Sequence, residues 1–311
     1  LRQFLGQLAD ESGKGVAVPT TLNAAGCDEA QFPSMRIVEP EFLNHHREIV
    51  ASYAKLGVRT IQSCVPYELY DVQPTLAPGM PAAWAESNAI CFANSYCGMR
   101  TNRESGLSAL ACALTGYAPD YGLLNDEARR PNLLVRVTAR LDDPTDFSIL
   151  GDWIGKQRQP RWRMPYGPIP AITGLPAEMN HEQRKALSAA AANYGSPLLY
   201  ILEDDALPEG DFGEAELKDR YQALRPRTAV SLVVLGCPQA SIGELRAIAE
   251  LLRARRVTSV PTAPEAPPPL WVFTSAASKA IAEKTGLAGA IRGSGALLLE
   301  NTCPEVVPYD P

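Results

Sequence analysis

Long apolar runs are missing from this 311-residue sequence. Nothing in it approaches the roughly 20 consecutive apolar residues that cross a bilayer. The start carries no basic segment followed by an apolar run, so no leader is read and a cytoplasmic protein is expected. Positive charge is also short: 29 lysines and arginines face 35 aspartates and glutamates, for a net charge of −6. A nucleic-acid surface shows as clustered lysine and arginine, so none is expected. The short RARR at Arg253–Arg256 falls at the end of an amphipathic helix, where cations meet the negative end of the helix dipole. There are only three histidines and no CxxC pair. His45 and His46 are adjacent on a helix and face different ways, and His181, beside Glu182 at a helix start, reads as a solvated polar residue; the signal for a zinc site is weak on these grounds. No internal repeat of solenoid spacing is present. An initial methionine is absent too, and Leu1, Phe4, Leu5 and Leu8 repeat at helical spacing, so the sequence begins inside an element and an upstream segment is expected.

What is present is a globular composition, 46% hydrophobic and 21% charged, in which folding is the default. Strand-length apolar runs alternate with amphipathic helical segments, the pattern of an α/β fold with parallel sheets flanked by helices. VAVPTTLN reads as a strand, PEFLNHHREIVASYAKLG as a helix stopped at Gly57, and VRTIQSC as a strand. NLLVRVTARL alternates as a half-buried strand does, FSILGDWIGKQ and HEQRKALSAAAANYG read as helices, and PLLYILE as a buried strand. TAVSLVVLGC is a continuous apolar strand, followed by a helix that Ser241 and Glu244 open at capping-box spacing. WVFT, SAASKAIAEKTG and GALLLENTC complete a strand, helix and strand. Proline-rich punctuation is expected at Gln159–Pro176 and from Pro261. Two α/β regions are expected, 1–140 and 141–311, the first with a dense polar motif and the second with two of the cysteines discussed next.

Seven cysteines, odd in number and irregularly spaced, fit free thiols or metal ligands better than a disulfide framework. Cys64, Cys237 and Cys303 each end a strand-like run and each is followed by proline at once or one residue later, in CVP, CPQ and CPE. Ligands of open parallel sheets bind beyond the carboxyl ends of strands, so thiols so placed can converge. For any one of them alone, packing is the commoner role. Cys91, Cys97 and Cys112 lie among Ala, Leu and Phe and read as packing. Cys27, after a glycine turn, is a further candidate for an exposed thiol.

The densest chemistry is WAESNAICFANSYCGMRTNRESG, Trp84–Gly106, which gathers Ser87, Asn88, Asn94, Arg100, Thr101, Asn102 and Arg103. Guanidinium groups offer planar, bidentate recognition of carboxylate or phosphate, and amides and hydroxyls add directional bonds. A small anionic molecule is the partner such a set suits, with a solvated helix face as the alternative.

PTTLNAAG, SCVPY, AWAESNA, FANSYCGMRTNRESG, LTGYAPDYG, GCPQASIGEL and ENTC together make the sequence similar to the aconitase X family, the divergent branch of the aconitase superfamily, over nearly its whole length. The resemblance implies the aconitase-superfamily large-domain architecture, with the site at the carboxyl ends of strands. It implies an iron-sulfur cluster on Cys64, Cys237 and Cys303, with one iron position left for substrate; whether the group has two irons, four, or is iron alone stays open. The implied reaction is loss of water from a hydroxy acid, the iron acting as a Lewis acid on the hydroxyl while an unassigned base removes a proton. Arg100, Arg103, Asn94, Thr101 and Asn102, with Ser87, Asn88 and the Thr21 and Asn23 loop, would hold the substrate. Family members act on cis-3-hydroxy-L-proline, the first expectation here, or on mevalonate 5-phosphate.

Two departures stand out: Gln239 in GCPQ, where the family has GCPH, and YILEDDALPEG, where an FH-containing strand and a TPEA turn are usual. Two family parts are also missing, an upstream segment and a small swivelling domain that supplies a catalytic serine, so a small subunit or domain is expected as partner. A diverged, non-catalytic subunit that binds a cluster or a small acid is the competing class.

Overall fold

The computed structural model describes all residues except 12, 14, 158–166, 203–209, 227, 259–266 and 310–311. Most of the YILEDDALPEG departure, and parts of both proline-rich segments, lie outside the described residues. In chain order the elements are α1 (Arg2–Glu11), α2 (Phe42–Lys55), β1 (Pro81–Ala82), α3 (Ser87–Tyr96), β2 (Arg100–Thr101), α4 (Gly106–Thr115), β3 (Leu133–Val137) and α5 (Pro144–Lys156). There follow β4 (Pro170–Thr173), α6 (His181–Asn193), β5 (Tyr200–Ile201), β6 (Gly210–Phe212), α7 (Glu214–Ala223), β7 (Val233–Ala240) and α8 (Ile242–Thr258). The last are β8 (Leu270–Thr274), α9 (Ala276–Lys284), α10 (Leu287–Arg292) and β9 (Leu297–Glu300). The chain forms two compact units: Leu1–Pro66 with Ala113–Gly116 and Thr228–Pro311, and Tyr67–Cys112 with Tyr117–Arg227. Residue 140, the sequential boundary expected above, falls within the second unit. No helix among the described residues is long and apolar enough to cross a membrane.

The first unit is built on a three-stranded parallel sheet in the order β7-β8-β9. Parallel strands covered on both faces read as unbroken apolar runs, and LWVFT of β8 shows why. Val272 packs with Leu245, Ala249, Ala282, Ile291 and Leu298 on the helical side. Trp271 and Phe273 pack on the other side with Cys27, Met35, Leu299 and Val307. That placement overturns the expectation of an exposed Cys27: it is fully buried, and burial pushes its thiol up to about 12. The reciprocal cap read from the sequence opens α8, with Ser241 N donating to Glu244 Oε2 at 2.7 Å and Glu244 N to Ser241 Oγ at 3.1 Å. Gly57, in the left-handed region at φ 83°, ends α2 as expected.

The strands expected at VAVPTTLN and VRTIQSC are extended but not regular. They meet through a single parallel bridge, Thr21 to Arg59, and Leu22 N donates to Arg59 O at 2.8 Å. Gln62 then adopts φ 54°, which no strand residue can.

The second unit carries a four-stranded parallel sheet, β5-β4-β3-β6. The alternation in LLVRV holds: Leu133, Val135 and Val137 are buried, while Arg136 points outward to Asp211 on β6 at 3.0 Å. The core joins Val135, Val137, Phe147, Leu150, Ile154, Ile172, Leu187 and Phe212. Each such large side chain contributes roughly 1.5–3 kcal/mol by burial. Helix α5 starts one turn earlier than FSILGDWIGKQ, because Asp143 caps it: Thr145 N donates to Asp143 Oδ1 at 2.7 Å and Asp143 N to Asp146 Oδ2 at 3.2 Å. β5, expected as a full strand, keeps only two residues of regular pairing.

Candidate functional sites

In the first unit, none of the three cysteines sits simply at the end of a regular strand. Cys237 lies inside β7, where the register with β8 is interrupted between Leu235 and Ala240. Cys303 comes three residues after β9, and Cys64 follows an irregular extended segment. What the three share is a left-handed residue just upstream: Gln62 at φ 54°, Gly236 at φ 95° and Asn301 at φ 63°. Such backbone breaks the ladder and turns the next residues out of the sheet, which is why strand periodicity alone misplaces the thiols. At Gly236 only glycine fits, since a Cβ there would lie 2.1 Å from Phe273 O. Gln62 and Asn301 hold a conformation that costs a side-chain-bearing residue roughly 1–3 kcal/mol.

The other two thiols act on Cys237 electrostatically. Cys237 is hydrogen-bonded to Cys303, and that bond, then burial, then the nearby Cys303, Glu305 and Cys64 all push its pKa up. Cys237 is exposed to solvent though crowded by protein, Cys303 is half-buried and Cys64 is buried. Gln239 lies beneath them with no exposure. Its backbone N–H donates to Cys64 Sγ at 3.3 Å. Its side-chain NH2 donates to Gln62 O at 3.3 Å and Thr302 O at 3.0 Å, and its Oε1 accepts from Ser63 Oγ at 2.9 Å. The loop residues Thr21 and Asn23 are half-buried in the same unit, and Asn23 Oδ1 accepts from Ala24 N at 2.7 Å.

No group of three or more His, Cys, Asp or Glu among the described residues is arranged to hold a single metal ion. A four-iron cluster is a different demand, because each of its thiolates binds a different iron. An all-sulfur donor set, free of imidazole, suits soft iron–sulfur chemistry. The N–H donated to Cys64 is the kind of outer contact that orients such ligands. The buried Thr302 hydroxyl, next in the chain to Cys303, has no hydrogen-bond partner. On chemistry and surroundings, then, the residues fit the group.

In the second unit most polar residues of the motif already have protein partners. Asn94, buried on α3, donates both amide hydrogens, to Thr101 O at 2.9 Å and Pro197 O at 3.0 Å. Its Oδ1 accepts from Thr101 N at 3.0 Å and Arg129 Nη1 at 3.1 Å. Asn102 clamps the neighbouring loop, donating to Tyr121 O at 3.1 Å and accepting from Leu123 N at 2.7 Å. Fully buried Thr101 accepts from Trp84 N at 3.2 Å. Arg100 donates to Leu124 O at 2.8 Å and pairs with Asp126. Asn88 accepts from Tyr67 Oη at 3.0 Å and donates to Glu86 at 2.8 Å. Ser87 is half-buried at the first residue of α3. Arg103 is exposed, with one nitrogen 3.3 Å from Ala192 O.

Sequence reasoning missed two features of this unit. Arg129 braces Asn94 from below, and burial lowers its pKa. His181, expected to be solvated, instead bonds Glu68 at 2.8 Å, and fully buried Lys185 lies 3.1 Å from the same carboxylate. Burial pushes Glu68 up, but the bond to His181 and the charge of Lys185 outweigh it and hold its pKa low. The clue was in HEQRK: His181 and Lys185 stand four apart, on one helix face.

Residues 2–127 match the model of the aconitase X first domain, and residues 230–310 that of the aconitase X third domain. The phosphomevalonate dehydratase large subunit of Methanothermobacter thermautotrophicus is 34% identical, over 96% of this chain and 72% of that protein. The chain belongs to the aconitase X family. A second relative, the cis-3-hydroxy-L-proline dehydratase of Pseudomonas aeruginosa, is 31% identical over 94% of this chain and 50% of its own length. The crystal structure of holo-form aconitase X from Thermococcus kodakaraensis superposes with a TM-score of 0.80 at 31% identity, covering 99% of this chain and 75% of that one. These aconitase X relatives are dehydratases by name, that is, hydro-lyases.

Proposed function

We propose that this chain is the large part of a dehydratase that eliminates water from a small anionic hydroxy acid, with an iron-sulfur cluster on Cys64, Cys237 and Cys303. The observation that carries the reading is that Gln239, two residues from Cys237, bonds Cys64 Sγ through its backbone N–H and Thr302 O, next to Cys303, through its side chain, so that the three thiol-bearing segments meet, in a member of a dehydratase family. When bound, the cluster supplies a Lewis-acidic iron that makes a substrate hydroxyl a better leaving group. The chain's own residues do the rest. Arg103 is exposed and keeps most of its five donors for a carboxylate or phosphate, and Ser87 lies in the same motif. Asn94, Thr101 and Asn102 hold the shape of the loop that presents them, and Arg100 and Asn88 contribute through their existing partners. Thr21 and Asn23 line the approach in the first unit.

Both mevalonate 5-phosphate and cis-3-hydroxy-L-proline are hydroxy acids that carry a carboxylate. Identity and length coverage are higher for the phosphomevalonate relative, 34% and 72% against 31% and 50%, so that substrate is tested beside hydroxyproline on equal terms. The relative's designation as a large subunit supports a small swivelling subunit or domain as partner. Seven cysteines, none in a disulfide, suit a reducing cytoplasm.

The test is anaerobic purification with the small subunit, iron and sulfide analysis, visible absorption, and assay of water loss from both substrates. Cys237→Ser should abolish the chromophore. A colourless, iron-free wild type with its partner present would sink the cluster, and inactivity on both acids would sink the substrate class.

A further inference from the structure

Gln239 is set between the three cysteine-bearing segments in a way that neither its residue type nor its place in GCPQ announces. Its backbone belongs to the segment of Cys237. Its side chain reaches the main chain two residues before Cys64, at Gln62 O, and one residue before Cys303, at Thr302 O, at 3.3 and 3.0 Å. The amide oxygen takes the Ser63 hydroxyl at 2.9 Å, and that hydroxyl also accepts Val65 N at 3.2 Å. Ser63, Gln239 and Thr302 are all buried, at 4%, 0% and 0% exposure. Buried polar groups carry a full desolvation cost when a partner is lost, so these bonds act as a set.

We propose that Gln239 is the positioning residue of the thiol set: one amide that pins the Cys64 and Cys303 segments to the strand bearing Cys237. The geometry gives each end a task. Two donors meet two carbonyls and the oxygen meets a donor, which an amide of this length supplies from this position at once. The segments it joins carry the left-handed residues Gln62 and Asn301, a conformation that persists only where surroundings over-determine it. The side chain also keeps its own backbone N–H beside Cys64 Sγ at 3.3 Å. Hydrogen bonds to a cluster's sulfurs set its properties. The inference rests on the reading of these cysteines as ligands, but the brace itself can be tested without metal.

In the metal-free full chain, alkylation of each cysteine is followed by mass spectrometry, with buried Cys27 of the same unit as internal reference. Gln239→Leu, which takes one partner from each of two carbonyls and the acceptor from the Ser63 hydroxyl, should speed labelling of Cys64 relative to Cys27 by about tenfold or more. Ser63→Ala, a milder cut, should give about a threefold effect. Gln239→His, which keeps one donor and one acceptor, should restore most of the protection. After anaerobic loading, Gln239→Leu should show an altered visible spectrum and Gln239→His one near wild type. Unchanged Cys64 labelling in both Gln239→Leu and Ser63→Ala, or equal acceleration at Cys64 and Cys27 in both, overturns the brace. A wild type that takes up no iron removes the cluster reading while the alkylation result still decides the brace.

Discussion

In the first unit a buried amide, Gln239, gathers segments that carry thiols; in the second a buried amide, Asn94, gathers α3, β2 and the main chain at Pro197. Both use the two donors and the acceptor that an amide offers. They differ in what is left over. Around Asn94 the neighbours close on each other, with Arg129 filling its second acceptor position, and the outcome is a shaped loop that leaves Arg103 at the surface. Around Gln239 the nearby cysteines have each other, with Cys237 hydrogen-bonded to Cys303. A hub of hydrogen bonds is therefore not itself a sign of chemistry; the groups it presents are.

The units share a second device that a paired substitution can pull apart. Gly236 in the first and Gly174 in the second are both left-handed, at φ 95° and 78°, and at each a Cβ would lie 2.1 Å from a neighbouring carbonyl, Phe273 O or Val137 O. Gly236→Ala and Gly174→Ala should each lower stability by about 4 kcal/mol in urea unfolding, the largest effects expected here. Of the two, only Gly236→Ala should also lower the iron bound per folded chain. Equal iron loss in both would remove the distinction between the units.

Lys185→Met should come next, at about 3 kcal/mol at pH 7, because it strips a buried carboxylate of its cation. The sign with pH sharpens the point. In the wild type the folded pKa of Glu68 lies below its unfolded value. Its contribution is thus full above the unfolded carboxylate pKa of about 4.3 and fades as pH falls through the folded one. In the variant, burial faces only His181, and the carboxylate titrates upward. The gap between variant and wild type should be widest at pH 7 and narrower by pH 4 in matched urea melts; a gap that does not change with pH would refute the role of Glu68. The smallest effect belongs to Asp126→Asn: its pairing with Arg100 is at the surface, surface pairs contribute little, and the thermal midpoint should not move.

Local signals in the sequence were read well where the cause of structure is local. The Ser241 and Glu244 cap, the Gly57 stop and the inward alternation of LLVRV all depend on residues within a few positions of one another. The parallel α/β class and the aconitase X family were legible as well. What escaped was set at long range. VRTIQSC has the composition of a strand, yet Gln62 is left-handed while its carbonyl accepts a bond from a side chain 177 residues away. His181 looked solvated because its partner, Glu68, is 113 residues distant. Cys27 looked exposed after a glycine turn because nothing nearby in the chain announces Trp271 or Phe273, which cover it. Gln239 was noticed only as a departure from a family pattern, and its hydrogen bonds could not be seen before the segments were brought together.

The bonds from Gln239 to Gln62 O and Thr302 O end on main chain, not on side chains, and this has a consequence for how the sequence can drift. Positions 62 and 302 are held by their carbonyls, so the side chains there can change while the grip remains. At 62 the tolerated set should lean to asparagine and glycine, which adopt the left-handed region most readily, and should exclude valine and isoleucine. Position 239, by contrast, should admit only side chains that offer both a donor and an acceptor, glutamine here or the histidine of the GCPH pattern, since that pairing is the grip. Variation around the thiols should therefore be patterned, with freedom at the held positions and constraint at the holder.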